Sequence, residues 1–371
     1  MKKILLLVIF LITNLTFAYE NKSSPEYQAF MKDYENGLTD FLLQHESPDV
    51  NIEAINKKLT SLGIAPEEEK SLLDYQELGE MIDEIVKNET LSTRSLMIAA
   101  QICGFNQEMF NYCNFKAINK KLIQSEPKNL AVYLISLSKS YDNSDEEKII
   151  ELIKKMSKTE YTDTHFISSQ ELEEAIEQYI KNNTVPTKFI DEDIKQITNF
   201  SEALSPDVMK SLSENHDYYL FATYNMMFSF MGPFPRLRAI TQTCKQYEQL
   251  APECEKVANV MINHSKTMIF PMLGHAIKSE ILTHYYSPEQ IEKNNSEQQK
   301  LKSQFSCLTE IRMKKEHLLD EYLDPQYYNQ WKKFVLVEGE FEAMKKMAQI
   351  NYQKQLDIGN ENAVNPQACF E

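Results

Sequence analysis

The stretch Asp145-Glu-Glu-Lys-Ile-Ile-Glu-Leu-Ile-Lys-Lys-Met156 places Ile149, Leu152, Ile153 and Met156 at i, i+3, i+4 and i+7. Residues at those intervals share one face of a helix that turns every 3.6 residues, so this is an amphipathic helix with one stripe facing a partner. Asp145, Glu146 and Glu147 fall in its first turn, where carboxylates offset the positive end of the helix dipole. Glu67-Glu-Glu69 and Asp191-Glu-Asp193 are read in the same way. A similar stripe runs through 327–350 on Trp331, Phe334, Phe341, Met344 and Met347. Proline stands at an expected first helical position in Ser24-Pro25, Ser47-Pro48, Ala65-Pro66, Glu126-Pro127 and Ser205-Pro206. Glycine is scarce, at eight in 371 residues, and no run shows strand alternation bounded by turn residues. The fold class expected is all-α.

The periodicity predicts helices over 25–45, 48–61, 66–87, 91–103, 107–124, 128–141, 145–157, 168–182, 190–203, 206–231, 235–249, 252–286, 288–322 and 326–358. Short connections make successive helices antiparallel neighbours, so stacked antiparallel helical hairpins are expected, as a solenoid or a bundle. Softer joints fall at 182–187, at Gly232-Pro-Phe-Pro235 and from Gly359 onward. They divide the chain into an N-terminal helical region 19–182, a C-terminal helical region 187–358 and a tail 359–371.

Lys2 and Lys3, the apolar run from Ile4 to Ile12 and small residues at Thr16 and Ala18 have the pattern of a signal peptide, residues 1–18. The run of nine apolar residues falls short of the roughly 20 that a spanning helix needs, so no stable membrane span is expected after cleavage. Tyr19 rather than cysteine follows the cut, which argues against a lipid anchor. A periplasmic or secreted location follows. Losing Lys2 and Lys3 takes the formal charge from −16 to −18, a sign that repels phosphate backbones and anionic lipid heads, so nucleic acid is not an expected partner.

Six cysteines remain in the exported chain, and an even number in an oxidising compartment reads as disulfides. Cys103 and Cys113, like Cys244 and Cys254, are ten residues apart. Ten helical residues span about 15 Å, too far for a disulfide, so the chain must turn back between each pair. Gly104-Phe105-Asn106 and Leu250-Ala251-Pro252 supply the turns. The expected pairs are Cys103–Cys113, Cys244–Cys254 and, by elimination, Cys307–Cys369. Zinc is the alternative, but structural zinc favours ligands two to four residues apart.

One segment resembles the tetratricopeptide repeat family over residues 127–156. Pro127 and Asn129 open it, Leu134, Leu137, Ser138 and Tyr141 stand at first-helix packing positions, and Ile149, Ile153 and Met156 follow in the second helix. Ile149 occupies a position where that family has a small alanine. The resemblance implies a scaffold that binds peptides or protein partners in a concave groove. With its leader and paired cysteines, the chain also resembles exported helical proteins of Gram-negative bacteria.

Sites of chemistry are not legible, and no catalytic, cofactor or metal residues are assigned. The nearest glycines, Gly63 and Gly79, are too far apart for a dinucleotide or P-loop fingerprint or a nucleophile elbow. Ser136 and Lys139 match the Ser-x-x-Lys pattern without its companion boxes and are expected on a solvated helix face. His264, His275 and His284, with Glu280, do not share one helical face and are read as structural. The aromatic run 217–231, with Tyr218, Tyr219, Phe221, Tyr224, Phe228 and Phe230, is read as core. The expected role is binding of a protein or peptide partner, or an envelope structural factor. The alternatives are a secreted hydrolase assembled from distant residues such as His275 and His284, and an apolar-ligand carrier built on 217–231.

Overall fold

The structure is a computed structural model that describes residues 24–64, 72–109, 111–190, 192, 210, 214–234, 236–312 and 324–371. The leader 1–18, the acidic runs at 67–69 and 191–193 and the expected helix 190–203 lie wholly or largely outside those residues. The chain is all-α. Its helices are α1 (Pro25–Leu43), α2 (Pro48–Ile64), α3 (Leu72–Asn88), α4 (Thr93–Phe105), α5 (Phe115–Ser125), α6 (Ala131–Asp142), α7 (Glu146–Met156), α8 (Gln170–Asn182) and α9 (His216–Phe230). They continue with α10 (Arg238–Gln246), α11 (Ala251–Asn263), α12 (Ile269–Tyr285), α13 (Pro288–Arg312), α14 (Pro325–Glu338) and α15 (Glu340–Asp357). Among the described residues β structure amounts to isolated bridges, and no helix is long and apolar enough to cross a membrane.

Local chemistry sets the helix starts. Ser24, Ser92, Asn114, Asp145, Ser169, Asn215 and Asp324 each accept a first-turn backbone N–H, satisfying a donor the helix itself cannot. Glu146 and Glu147 lie in the first turn of α7 and Lys154 and Lys155 in its last, matching both ends of the dipole.

A continuous path of packed helices runs α2, α4, α6, α10, α12, α13, α15, while α5 pairs with α4, α7 with α6, α11 with α12, and α14 with α15. The largest core joins Ile52 and Ile55 of α2 to Ile98 of α4, Leu134 of α6 and Phe270 and Ile277 of α12. A second core joins Tyr27 and Leu38 of α1 to Ile176 of α8 and to Tyr219, Tyr224 and Phe228 of α9. Both cores take residues from either side of 183–186. The three cysteine pairs expected from the sequence lie at disulfide distance, with Cα separations of 5.8, 5.7 and 5.6 Å for 103–113, 244–254 and 307–369.

The helix expected over 107–124 begins only at Phe115, after a single 3-10 turn at Gln107–Met109, because the chain turns back there to bring Cys113 to Cys103; the other departures from the expected periods gather at one junction. Helix α6 begins at Ala131 rather than beside Pro127, because the preceding backbone is bonded elsewhere: Glu160 N–H donates to the Lys128 carbonyl and Leu130 N–H to that of Tyr161, at 2.9 and 2.8 Å. The single helix expected over 252–286 is two helices. Between them Thr162 N–H donates to the His264 carbonyl at 2.9 Å and Lys266 N–H to the Thr162 carbonyl at 3.1 Å, pulling 264–267 out of helical geometry. The helix expected over 326–358 also breaks, at Gly339, whose φ of +87° favours glycine, and Glu340 N–H donates to the Lys266 carbonyl at 2.7 Å. Four irregular segments thus meet edge to edge. A Cβ on Gly339 would stand 3.0 Å from the Lys266 backbone, whereas one on Gly359, at φ +78°, would meet nothing within 4 Å. Gly339→Ala is expected to lower stability by about 2 kcal/mol or more, read as a drop in urea midpoint, and Gly359→Ala by less. Equal losses would remove the junction as the cause.

Candidate functional site

The residues weighed from the sequence are not brought together. His275 is buried, with Nδ1 2.9 Å from Asn294 Oδ1, while the Asn294 amide donates to the His275 carbonyl at 3.0 Å, so this histidine links α12 to α13. His264 lies at the end of α11, and Glu280 pairs with Lys245 at 3.0 Å. Among the described residues no group of three histidine, cysteine or acidic side chains could hold a metal ion. Ser136 is buried, not on a solvated face, and Lys139 donates to the Gly104 carbonyl at 2.9 Å beneath the Phe115 ring. In α9, Tyr219, Tyr224 and Phe228 are core, with Tyr218, Phe221 and Met227 packed against them.

Two polar constellations emerge instead. The first lies at the junction. Glu126 accepts from Thr93 Oγ1 at 2.9 Å, Asn129 Nδ2 at 2.8 Å and Tyr161 OH at 3.0 Å, and His165 Nε2 stands 3.0 Å from it. Asp163 accepts the His165 backbone N–H at 2.8 Å and pairs with Lys266 at 3.2 Å. Burial pushes the Glu126 carboxyl up, but the His165 hydrogen bond and charge, with the Asn129 and Thr93 hydrogen bonds, hold it down at about 2. Burial likewise pulls His165 down, and the Glu126 hydrogen bond with the Asp163 and Glu126 charges outweighs it, so the ring keeps its proton to higher pH than usual. A histidine whose protonated form is favoured by two carboxylates is less available as a general base than a free one, and a carboxylate saturated by four donors has little capacity left for a substrate. This constellation works as a clamp.

Its pH dependence follows in sign. Glu126, held down, contributes stability above about 4.5 that is lost as pH falls towards about 2. His165, held up, contributes stability in full below 6.5 that is lost as pH rises through its elevated value. His165→Asn tolerates the residue's φ of +51° while removing the charge. It is expected to cost about 1–2 kcal/mol at pH 5.5 and visibly less at pH 9 in urea unfolding. A cost that grows with pH would contradict the clamp.

The second constellation is open to solvent. A cleft of about 350 Å³ between the C-terminal end of α6 and the start of α10 is lined by Ser138, Tyr141, Asp142, Arg236, Arg238 and Ala239. The chain has four arginines in all, and two of them are here. The Arg236 guanidinium stacks 4.1 Å over the Phe105 ring and pairs with Asp142 at 3.4 Å, and its carbonyl accepts from Ser138 Oγ at 2.9 Å. Arg238 has no hydrogen-bond or ion-pair partner among the described residues. Two residues before Arg236, Phe234 is 57% exposed, while its carbonyl is held by the Gln101 amide at 2.7 Å. The Gly232-Pro-Phe-Pro235 joint followed by Arg236-Leu-Arg238 was the available signal for this site, read only as a soft connection. Nothing local marks Glu126 or His165, which lie 39 residues apart.

Comparison with protein-family models, curated proteins and solved structures finds no match to the chain.

Proposed function

We propose that the mature chain is an exported protein, periplasmic or secreted, that works by binding a protein or peptide partner, with the arginine-lined cleft between α6 and α10 as the contact face. The observation that carries this reading is the gathering of two of four arginines, one of them unpartnered among the described residues, into a cleft on a strongly acidic chain. Arginine and exposed aromatic side chains are enriched where proteins bind partners, and the exposed Phe234 lies two residues before Arg236 in the chain. Tyr141 and Ser138 belong to α6, the first helix of the segment that resembles a tetratricopeptide repeat, a family of peptide-binding scaffolds. Three cysteine pairs at disulfide distance fit an oxidising environment and support the exported location.

Affinity capture from the cell envelope tests the role. The mature chain is expected to recover one stoichiometric partner, and the same chain carrying Arg236→Glu and Arg238→Glu is expected to lose it while melting at the same temperature. Equal recovery by both baits would remove the cleft from the binding face.

A further inference from the structure

Resting on the binding role proposed above, we infer that the cleft recognises a single carboxylate of an acidic peptide, held between Arg236 and Arg238 at the start of α10. The two guanidinium groups are differently placed. Arg236 is held by the Phe105 ring beneath it and by Asp142 at its edge, so its fork is oriented before any ligand arrives. Arg238 has no partner among the described residues, so its donors are available. A planar guanidinium presents paired N–H donors that match the two oxygens of a carboxylate.

The helix itself adds to this. Arg238 and Ala239 are the first two residues of α10, and Leu237 at the cap offers no side-chain acceptor. Ala239 lines the cleft, and its only polar atoms are those of the backbone. The first-turn N–H groups of a helix lack internal partners and carry its positive end, which favours an anion there. Lys245, in the last turn of α10, sits at the opposite end and leaves this bias intact.

Charge selects among anions. Two arginines and Asp142 give the lining a formal charge of plus one, which balances one carboxylate and leaves the second charge of a phosphate dianion uncompensated beside Asp142. Peptide carboxylates come from acidic side chains or from a free C-terminus, and both offer the same two oxygens. Phe234, two residues before Arg236 in the chain, is 57% exposed and offers an apolar surface to a residue flanking the bound acid.

Titration calorimetry on the mature chain with its disulfides intact separates these cases. Three probes are compared: Gly-Gly-Phe-Gly-Glu with an amidated end, Gly-Gly-Phe-Gly-Gln with a free end, and Gly-Gly-Phe-Gly-Gln with an amidated end. At least one of the first two is expected to bind about tenfold or more tightly than the third, and which one does so identifies the source of the carboxylate. Arg238→Gln is expected to weaken that probe by about tenfold, and inorganic phosphate at equal concentration is expected not to displace it. Equal binding of all three probes, no binding of any at millimolar concentration, an unchanged affinity in Arg238→Gln, or displacement by phosphate would each overturn the carboxylate site. If the captured partner is lost on charge reversal while the three probes bind alike, the binding role stands and the carboxylate assignment fails.

Discussion

Replacing Arg94 with methionine is expected to lower the stability of the chain by about 3–5 kcal/mol, the range for removing one partner of a buried ion pair. Arg94 is 5% exposed and Glu53 3%, and the Arg94 Nε donates to Glu53. The same guanidinium donates to the carbonyls of His165 at 2.8 Å and Phe228 at 3.2 Å, so one side chain ties α2, α4, the junction and α9. Burial pushes the Glu53 carboxyl up, and the Arg94 charge and hydrogen bond oppose that. Without the arginine nothing opposes it. Glu53 must then take a proton to stay buried, so the variant should gain stability relative to wild type as pH falls and lose it as pH rises. Arg94→Met with Glu53→Leu is expected to recover most of the loss, because an apolar pair has no charge to desolvate. Urea unfolding of the two variants at pH 5 and pH 8 reads all of this. A single variant within 1 kcal/mol of wild type, or a double variant no better than the single, would remove the pair from the account.

The second large effect is expected at Cys307–Cys369. This bridge closes 62 residues, whereas the other two close ten each. Loop closure restricts the unfolded chain more as the loop lengthens, by about 4 kcal/mol for the long loop and about 2.7 kcal/mol for a short one. The bridge also pins the tail. Phe370 and Cys369 pack against the cluster of Leu308, Met344 and Ala348 that joins α13 to α15. Thermal melts of Cys307→Ala/Cys369→Ala and Cys103→Ala/Cys113→Ala are expected to show the larger drop for the first. An equal or reversed order would mean that packing, not chain restriction, sets the contribution.

The fold class was legible because helical period is written locally. Ile149, Leu152, Ile153 and Met156 are all buried along α7, as their spacing requires. The cysteine pairs were legible for a related reason, since ten residues along one helix cannot bring two sulfurs together and each pair had a turn between its members. What was not legible is the junction. Thr162, His264 and Lys266 carry no propensity that marks them as meeting, and the bonds that interrupt the expected helix 252–286 come from a segment about 100 residues earlier. Gly339 was a visible signal, because a glycine between two glutamates in a helical stretch is a plausible break. Ser136 shows the opposite failure: its sequence context suits a solvated face, yet α6 is covered by α4, α7 and α10 and the residue is buried. The cleft was half legible. Its arginines stand together in the chain, but the ring that orients Arg236 comes from the end of α4 and the carboxylate from the end of α6.

The central claim is that this chain meets its partner at the α6–α10 face. Site-specific photocrosslinking tests it most directly, with benzoylphenylalanine in place of the exposed Phe234, two residues before Arg236, and, as a control, in place of Val364, which is 56% exposed near the C-terminus. The account predicts one discrete adduct from position 234 in cells that export the chain, absent when Arg236 and Arg238 are reversed to glutamate, and no such adduct from 364. Adducts of the same size from both positions, or one at 234 that survives the charge reversal, would contradict it.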